Sequence, residues 1–188
     1  GLRYEAAISE ALLYVSMDSV PVIRLLDGHG EIPEAETADM EALLKSHHYQ
    51  VSRVNLLRGD ELDPSELLMI LSPQKDLQEA ELQKITAFLG GGGGTIITSD
   101  YHDPDSLPLF DALYRSMGFL RIPGIVVAQS EDRAAYIDSP LFLTPYMEMT
   151  EPTAALIGAG QTRLRLPGAR AFDIVQGDGT LLVDPLLI

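Results

Sequence analysis

Short apolar runs recur along the first 130 residues, and amphipathic segments lie between most of them. Runs rich in Val, Ile and Leu predict five strands: "VPVIRLLD" (20–27), "QVSRVNLL" (50–57), "ELLMILSP" (66–73), "TIITSD" (95–100) and "GIVVAQ" (124–129). Apolar residues at helical spacing predict four helices, over residues 8–15, 37–49, 76–90 and 106–119. Elements in this order are typical of α/β proteins.

The order of elements predicts an open, mostly parallel, doubly wound sheet with helices on both faces, because right-handed crossovers leave few other arrangements. We expect the flavodoxin-like strand order. From about residue 131 the pattern changes to a Pro-rich, irregular stretch, "SPLFLTPYMEMTEP", and then to short alternating runs with "GDG" as a hairpin turn. We therefore expect one α/β domain over residues 1–188, with its core in 1–130 and an irregular segment plus a small β extension in 131–188.

Residues that favour helix ends mark the boundaries of the predicted helices. Thr37 is the expected N-cap of the second helix, and Asp76 with Glu79 resembles a capping box at the start of the third. Ser106 is the expected cap of the fourth helix, and Gly118 is its expected stop.

The glycine run Gly90–Gly94 raises the question of phosphate binding. A phosphate-binding glycine loop leads from a strand into a helix, where free N–H groups and the positive end of the helix dipole face the anion. This run leads from a helix into a strand and has no Lys-Ser/Thr ending. We therefore interpret it as a helix C-cap followed by a tight reversal, with one glycine in the left-handed conformation.

Composition limits the function classes. The chain has 188 residues, 28 acidic against 13 basic side chains and a net charge of -15. This charge disfavours nucleic acids and anionic membrane surfaces, whose binding requires Lys and Arg. There are no cysteines, which excludes disulfides, thiolate metal sites and a Cys nucleophile. No apolar run approaches the ~18 residues of a membrane span, and no signal peptide is visible, although the chain could be a piece of a longer protein.

Polar residues follow the predicted strands at the carboxyl edge of the sheet, where open α/β sheets bind ligands. We expect a ligand crevice there, lined by residues that follow the first, third and fourth strands: Gly28, His29, Gly30, Glu31, Ser72, Pro73, Asp100, His102 and Asp103. No cofactor motif accompanies them.

Two chemical alternatives involve the same edge. The pairs Asp27/His29 and Asp100/His102 offer carboxylate and imidazole ligands for a divalent metal, on strand ends about 9–10 Å apart. Solvated turn residues are the simpler interpretation of these pairs. Ser72 lies where a nucleophile could stand, but Pro73 after it has no N–H for an oxyanion hole and the G-x-S-x-G frame is absent.

Several sequence segments, taken in order along the chain, resemble the extracytoplasmic domain of gliding-motility-type ABC-transporter auxiliary proteins. They are "ISEALLYVSMDSVPVIRLLDGHGE", "ALLKSHHYQVSRVNLL", "ELLMILSPQKDLQEAELQKITAFLGGGGGTIITSD" and "RLPGARAFDI". Gly28–Glu31 match the family's "TGHGE"-like loop, whereas Asp27 stands where the family more often has a small hydroxyl residue. That departure weakens a metal site built on Asp27.

The resemblance implies a glutamine-amidotransferase-like fold without the Cys nucleophile. It also implies a position outside the cytoplasmic membrane, anchored by flanking helices absent from this chain. ABC-transporter permease and ATPase subunits are the implied partners. The resulting hypothesis is a non-catalytic domain that binds a partner subunit, a small solute or a glycan. The alternative is a metal-assisted hydrolase using Asp27, His29, Asp100 and His102.

Overall fold

A computed structural model describes residue 8 and residues 19–129, 134–136, 139–175 and 183–187. The chain divides into two compact units, and the boundary in the sequence falls between Thr98 and Ser99. The predicted lead-in helix over residues 8–15, apart from Ile8, and the predicted "GDG" turn lie outside the described residues.

The first unit is built on a four-stranded parallel sheet. Its strands are β1 (Val22–Leu26), β2 (Gln50–Val54), β3 (Leu67–Leu71) and β4 (Gly94–Thr98), in the spatial order β2-β1-β3-β4. β1 and β4 therefore run in the same direction with β3 between them, as the sequence predicts. The strand order turns back between β1 and β3, which makes this position the topological switch point of the sheet.

Two helices follow strands of this sheet. Helix α1 (Glu34–Ser46) connects β1 to β2, and α2 (Glu79–Gly90) connects β3 to β4. These two connections lead in opposite directions from the switch point, so right-handed crossovers place the helices on opposite faces. Between β2 and β3 there is only a 3-10 turn at Leu56–Arg58. The mixed α/β class and the parallel sheet are thus confirmed.

The core of the first unit lies on both faces of the central strands. On the α1 face, Ile23, Leu25, Met69 and Leu71 form a buried cluster, against which α1 packs Met40 and Leu44. The α2 helix buries Ile85 and Phe88, which are 0% and 2% exposed. These two residues belong to the stripe that helical spacing predicts.

The helix starts differ from the expected ones. Helix α1 begins three residues before Thr37, with Pro33 at the N-cap, since the rigid extended backbone of Pro33 (φ -68, ψ 155) leads directly into the helix. The Thr37 hydroxyl instead donates to the Glu41 carboxylate at 2.9 Å. Helix α2 is capped at Gln78, whose N–H donates to the Glu81 carboxylate at 2.9 Å, so the predicted Asp76/Glu79 box is wrong by two residues.

The second unit contains α3 (Pro108–Ser116), α4 (Glu151–Gly158) and short antiparallel strands. β5 (Phe119–Arg121) pairs with β9 (Phe172–Ile174), and β7 (Ser139–Leu143) lies between β6 (Ala134–Tyr136) and β8 (Leu166–Pro167). Pro108 is at the start of α3, with Leu107 rather than Ser106 at the N-cap, and Gly118 follows its end in the left-handed conformation (φ 88).

Two predictions for this part of the chain are wrong. Residues 124–129 form no strand: the backbone bends at Pro123 and Gly124, and residues 125–128 join no sheet of the described residues. Afterwards the backbone makes only scattered bonds, such as Val126 N–H to the Ala169 carbonyl at 2.9 Å. Second, the stretch interpreted as irregular contains β7 and leads into α4. Pro140 is exposed near the start of β7, Pro145 follows the end of β7, and Pro152 lies in the first turn of α4, which tolerates proline.

Candidate functional site

The loop after β1 turns the His29 side chain into the protein. Gly28 (φ 128) and Gly30 (φ 75) flank it in the backbone region that L side chains rarely adopt. A Cβ at Gly28 would also lie 2.9 Å from the Asn55 side-chain nitrogen. The two glycines stay exposed, whereas His29 is only 2% exposed.

The imidazole of His29 lies between two buried carboxylates. Its Nδ1 is 3.3 Å from Glu31 Oε1, and its Nε2 is 3.0 Å from Glu81 Oε2. The other Glu31 oxygen accepts the N–H groups of Gly28 at 3.1 Å and of His29 at 2.8 Å. Glu81 is 1% exposed and comes from the first turn of α2. We call the Glu31, His29 and Glu81 side chains the buried triad.

The triad favours the protonated imidazole. Burial by itself lowers the pKa of His29, but hydrogen bonds to Glu31 and Glu81 and the charges of both carboxylates outweigh it, so the pKa of His29 is raised above its usual value. An imidazolium donates from both ring nitrogens, which is what two flanking carboxylates require.

The main chain of His29 ties two loops together at the switch point. Its carbonyl accepts the N–H groups of Gln74 and Lys75, both at 2.8 Å, and the Ile32 N–H donates to the Leu71 carbonyl at 3.1 Å. The β1–α1 loop and the β3–α2 loop are therefore joined where this fold class usually opens a ligand crevice. Here the chain's own triad occupies that position.

Ser72 and Pro73 follow β3 and are buried in the first unit. Ser72 has a φ of 49°, which is unusual for a residue other than glycine and especially for one that precedes proline. Its N–H donates to the Thr98 carbonyl at 3.2 Å and to the Thr98 hydroxyl at 3.1 Å. Its own hydroxyl is 3.4 Å from the Thr98 hydroxyl. This serine is thus fixed against β4.

Asp100, His102 and Asp103 lie in the second unit and form one tight turn. The Asp100 side chain accepts the His102 N–H at 2.7 Å, and the Asp103 side chain accepts the Asp100 N–H at 3.0 Å. Asp103 is buried, and burial raises its pKa although the hydrogen bond from the Asp100 N–H lowers it. His102 is exposed, with Nδ1 3.6 Å from Asp100 Oδ1.

The predicted residues thus form two local groups. Gly28, His29, Gly30, Glu31, Ser72 and Pro73 come together in the first unit, and Asp100, His102 and Asp103 come together in the second. Their role in ligand binding stays a prediction.

The metal hypothesis gains no support from this geometry. Both His29 nitrogens face carboxylates of the triad, and Asp27 is exposed at the end of β1. Within the described part of the chain, no three His, Cys, Asp or Glu side chains are arranged to hold a metal ion.

Sequence reasoning missed Glu81, the residue from α2 that completes the triad. A signal was present, because residues 81, 85 and 88 share the buried stripe of α2 at helical spacing. A carboxylate on an apolar stripe needs a buried partner, since an isolated buried charge is very costly. His29 is that partner, with Nε2 3.0 Å from Glu81 Oε2.

The geometry defines an α/β domain whose sheet carries its own buried ionic cluster at the switch point. A family model described as an ABC-type uncharacterized transport system matches residues 20–117, just over half of the chain. The chain belongs to this family, which indicates an auxiliary component of an ABC-type transport system. The matched part covers all of β1 to β4 and ends just after α3.

Among solved structures, the mmIFT52 N-terminal domain is similar in fold. Its TM-score is 0.62, with 14% sequence identity over 82% of this chain and 69% of that chain. None of the curated proteins matches the chain. Across the described ranges, no helix combines the length and apolarity needed to cross a bilayer.

Proposed function

We propose that the protein is a non-catalytic, extracytoplasmic domain through which an auxiliary protein of an ABC-transport system binds a partner subunit. The observation that carries this proposal is the buried triad at the switch point. The imidazole that would be the natural base or metal ligand there is bonded on both sides to carboxylates. A flavodoxin-like domain with this edge filled by its own side chains suits recognition better than turnover.

The exposed rim above the triad supports recognition at the carboxyl edge. Asp27, Gly28, Gly30, Gln74 and Lys75 are exposed on the two joined loops. The bonds to the His29 carbonyl fix these loops, and a surface that is ordered before binding loses less conformational entropy on association.

The second unit offers a different kind of surface. Among the described residues from 122 onward, twelve large apolar side chains are exposed, including Phe142, Tyr146 and Met149. Between residues 19 and 98 only Leu43, Tyr49, Leu57 and Ile96 are exposed. Apolar side chains exposed at this density indicate a protein-interaction surface.

Site-specific photo-crosslinking tests the proposal. A photoreactive amino acid replaces Gln74 on the joined loops or Met149 in the second unit, with Thr86 on the exposed face of α2 as the control. The protein is produced together with the permease and ATPase of its transport system. We expect crosslinks to a transport subunit from position 74 or 149 and at least fivefold less from position 86.

Equal or absent crosslinking at all three positions would contradict partner binding. Turnover in a panel of hydrolase substrates, abolished by His29→Ala, would contradict the non-catalytic assignment. The extracytoplasmic location is checked separately, by digestion of the full-length protein with external protease in cells whose cytoplasm stays sealed.

A further inference from the structure

The buried triad connects three segments of the first unit that are distant in the sequence. Glu31 and His29 come from the β1–α1 loop, Glu81 comes from α2, and the His29 carbonyl holds the β3–α2 loop through the N–H groups of Gln74 and Lys75. The Glu81 oxygen that faces His29 also accepts the N-cap N–H of α2. The Glu81 side chain thus contacts both loops: it bonds to His29 of the β1–α1 loop and to the N–H of Gln78 at the end of the β3–α2 loop.

Only one protonation state of His29 satisfies all of these contacts. A neutral imidazole has a single N–H, so it can donate to Glu31 or to Glu81 but not to both. The second carboxylate would then face a ring lone pair at 3.0 or 3.3 Å. The second Glu81 oxygen, Oε1, is buried and accepts no hydrogen bond from the described residues. Loss of the proton therefore leaves two buried negative charges with too few donors, which is costly.

The other charged groups nearby do not replace the missing donor. Glu31 and Glu81 are the two charged side chains that raise the pKa of His29. The remaining charged residues of the two loops are Asp27 directly after β1 and Lys75 and Asp76 in the β3–α2 loop; on α2, Glu79 is acidic and Lys84 pairs with Glu61. Lys75 is exposed to solvent, and the carboxylates of Asp27 and Asp76 have no hydrogen to donate.

We propose that the proton on His29 is a latch that holds the β1–α1 and β3–α2 loops closed over the switch point, and that its loss releases them. The sheet and both helices stay folded in the released state, because α1 packs on the cluster of Ile23 and Leu25 and α2 buries Ile85 and Phe88. Release would expose the polar crevice that a sheet of this topology otherwise presents. The latch makes the carboxyl edge sensitive to pH in the range where imidazoles titrate.

Amide hydrogen exchange of the whole chain between pH 5 and 9, corrected for the intrinsic rate at each pH, tests the latch. The N–H groups of Gln74 and Lys75 report on its closure, and the Ile97 amide in β4 reports on global opening. We expect protection at Gln74 and Lys75 to fall at least tenfold as the pH rises through the His29 titration, which NMR of the imidazole follows directly. Protection at Ile97 should stay above that at Gln74 and Lys75 at every pH, because the sheet remains folded when the loops are released.

Two variants separate the latch from a purely structural role. His29→Gln cannot titrate, so protection at Gln74 and Lys75 should no longer depend on pH. Glu81→Gln removes one carboxylate from the ring, so the loss of protection should move to lower pH together with the imidazole titration. Wild-type protection that does not change with pH would overturn the latch, as would a pH dependence that persists in His29→Gln. If His29→Gln fails to fold, the shift in Glu81→Gln decides, and an unmoved midpoint overturns the proposal.

Discussion

The five glycines of the run Gly90–Gly94 have different structural roles, although they are the same residue type. Gly92 has a φ of 94° and is the left-handed residue that ends α2. Its N–H donates to the Leu89 carbonyl and the Gly93 N–H donates to the Phe88 carbonyl, both at 3.0 Å, which is the Schellman arrangement. The direction of the run, from helix to strand, was enough to predict this cap from the sequence.

Gly93→Ala should destabilise the protein by about 2 kcal/mol or more, which is in the range of steric overpacking in a core. A Cβ at Gly93 would clash with the Phe88 ring, which is 2% exposed and cannot move freely. Gly90→Ala is the matched control, because a Cβ there meets nothing within 4 Å and the residue is helical. That control should be neutral or stabilising by up to about 1 kcal/mol. Urea unfolding followed by circular dichroism measures both, and equal effects would contradict the packing argument.

The sequence could not predict which glycine is indispensable, because that depends on contacts in the tertiary structure. The Phe88 ring folds back over Gly93, and Pro64 from another segment lies 2.7 Å from a Cβ at Gly91. The same limit applies to His48 (φ 66) and Ser72 (φ 49), two residues other than glycine in the left-handed region. Local sequence does not show positive φ where the surrounding structure imposes it.

At the scale of elements, strands and helices with strong periodicity were predictable. β1 to β4, α2 and α3 appear where apolar patterns place them, within a few residues at each end. The misplaced starts of α1 and α2 share one cause: Pro33 and Gln78 cap without a conventional Ser, Thr, Asp or Asn side chain. The short strands of the second unit were the hardest to predict, since two- and three-residue strands carry too little pattern.

Arg170 fixes the connection between β8 and β9 to the turn after β4, within the second unit. Its Nε donates to the Asp100 carbonyl at 3.2 Å, its Nη2 donates to the Asp103 carbonyl at 2.7 Å, and its Nη1 lies 3.2 Å from Asp105 Oδ1. The residue itself is 6% exposed. The rigid guanidinium plane supplies three donors in different directions, which a lysine ammonium cannot reproduce at these positions.

We therefore expect Arg170→Lys to destabilise the second unit by about 2 kcal/mol, since hydrogen bonds from charged donors contribute about 1.5–3 kcal/mol. Arg115→Lys on the exposed side of α3 is the control and should change stability by less than about 0.5 kcal/mol. Residue-resolved hydrogen exchange at the Tyr101 amide, which donates to the Gly168 carbonyl, reports the local effect. Unchanged protection there in Arg170→Lys would show that the arginine does not hold the turn.

At the scale of the whole molecule, net charge limits the classes of possible partners, and sheet topology indicates where a site would lie. The net charge of -15 argues against nucleic-acid partners, and this inference needed only the composition. Strand direction located the carboxyl edge and brought His29 and Ser72 to one side of the first unit. The content of that edge could not be predicted, because the Glu81 partner of His29 lies 52 residues away on a helix. Periodicity shows that a helix buries a face, but not which side chain that face meets.

The dependence of global stability on pH should reflect the shifted pKa values of His29 and Glu41. The pKa of His29 is raised, so its stabilising contribution is fully present below the unfolded value of about 6.5 and is lost as the pH rises through the higher folded value. The effect of Glu41 on stability has the opposite pH dependence, because its pKa is lowered. Burial raises its pKa, but hydrogen bonds from Thr37 and Arg53 and the nearby positive charges lower it overall. Its contribution is therefore present above about 4.5 and is lost on acidification through the lower folded pKa.

Stability should consequently be greatest in mildly acidic solution and should fall by about 1.5–3 kcal/mol towards pH 9, the range typical of hydrogen bonds to charged groups. The chain has no cysteines and four histidines, so imidazoles are the side chains that ordinarily titrate between pH 6 and 8. Urea midpoints measured from pH 4 to 9 test this expectation. His29→Gln should flatten the alkaline side of the curve and leave the acidic side unchanged, whereas Glu41→Gln should flatten only the acidic side. An alkaline decline that survives in His29→Gln would contradict its assignment to the buried triad.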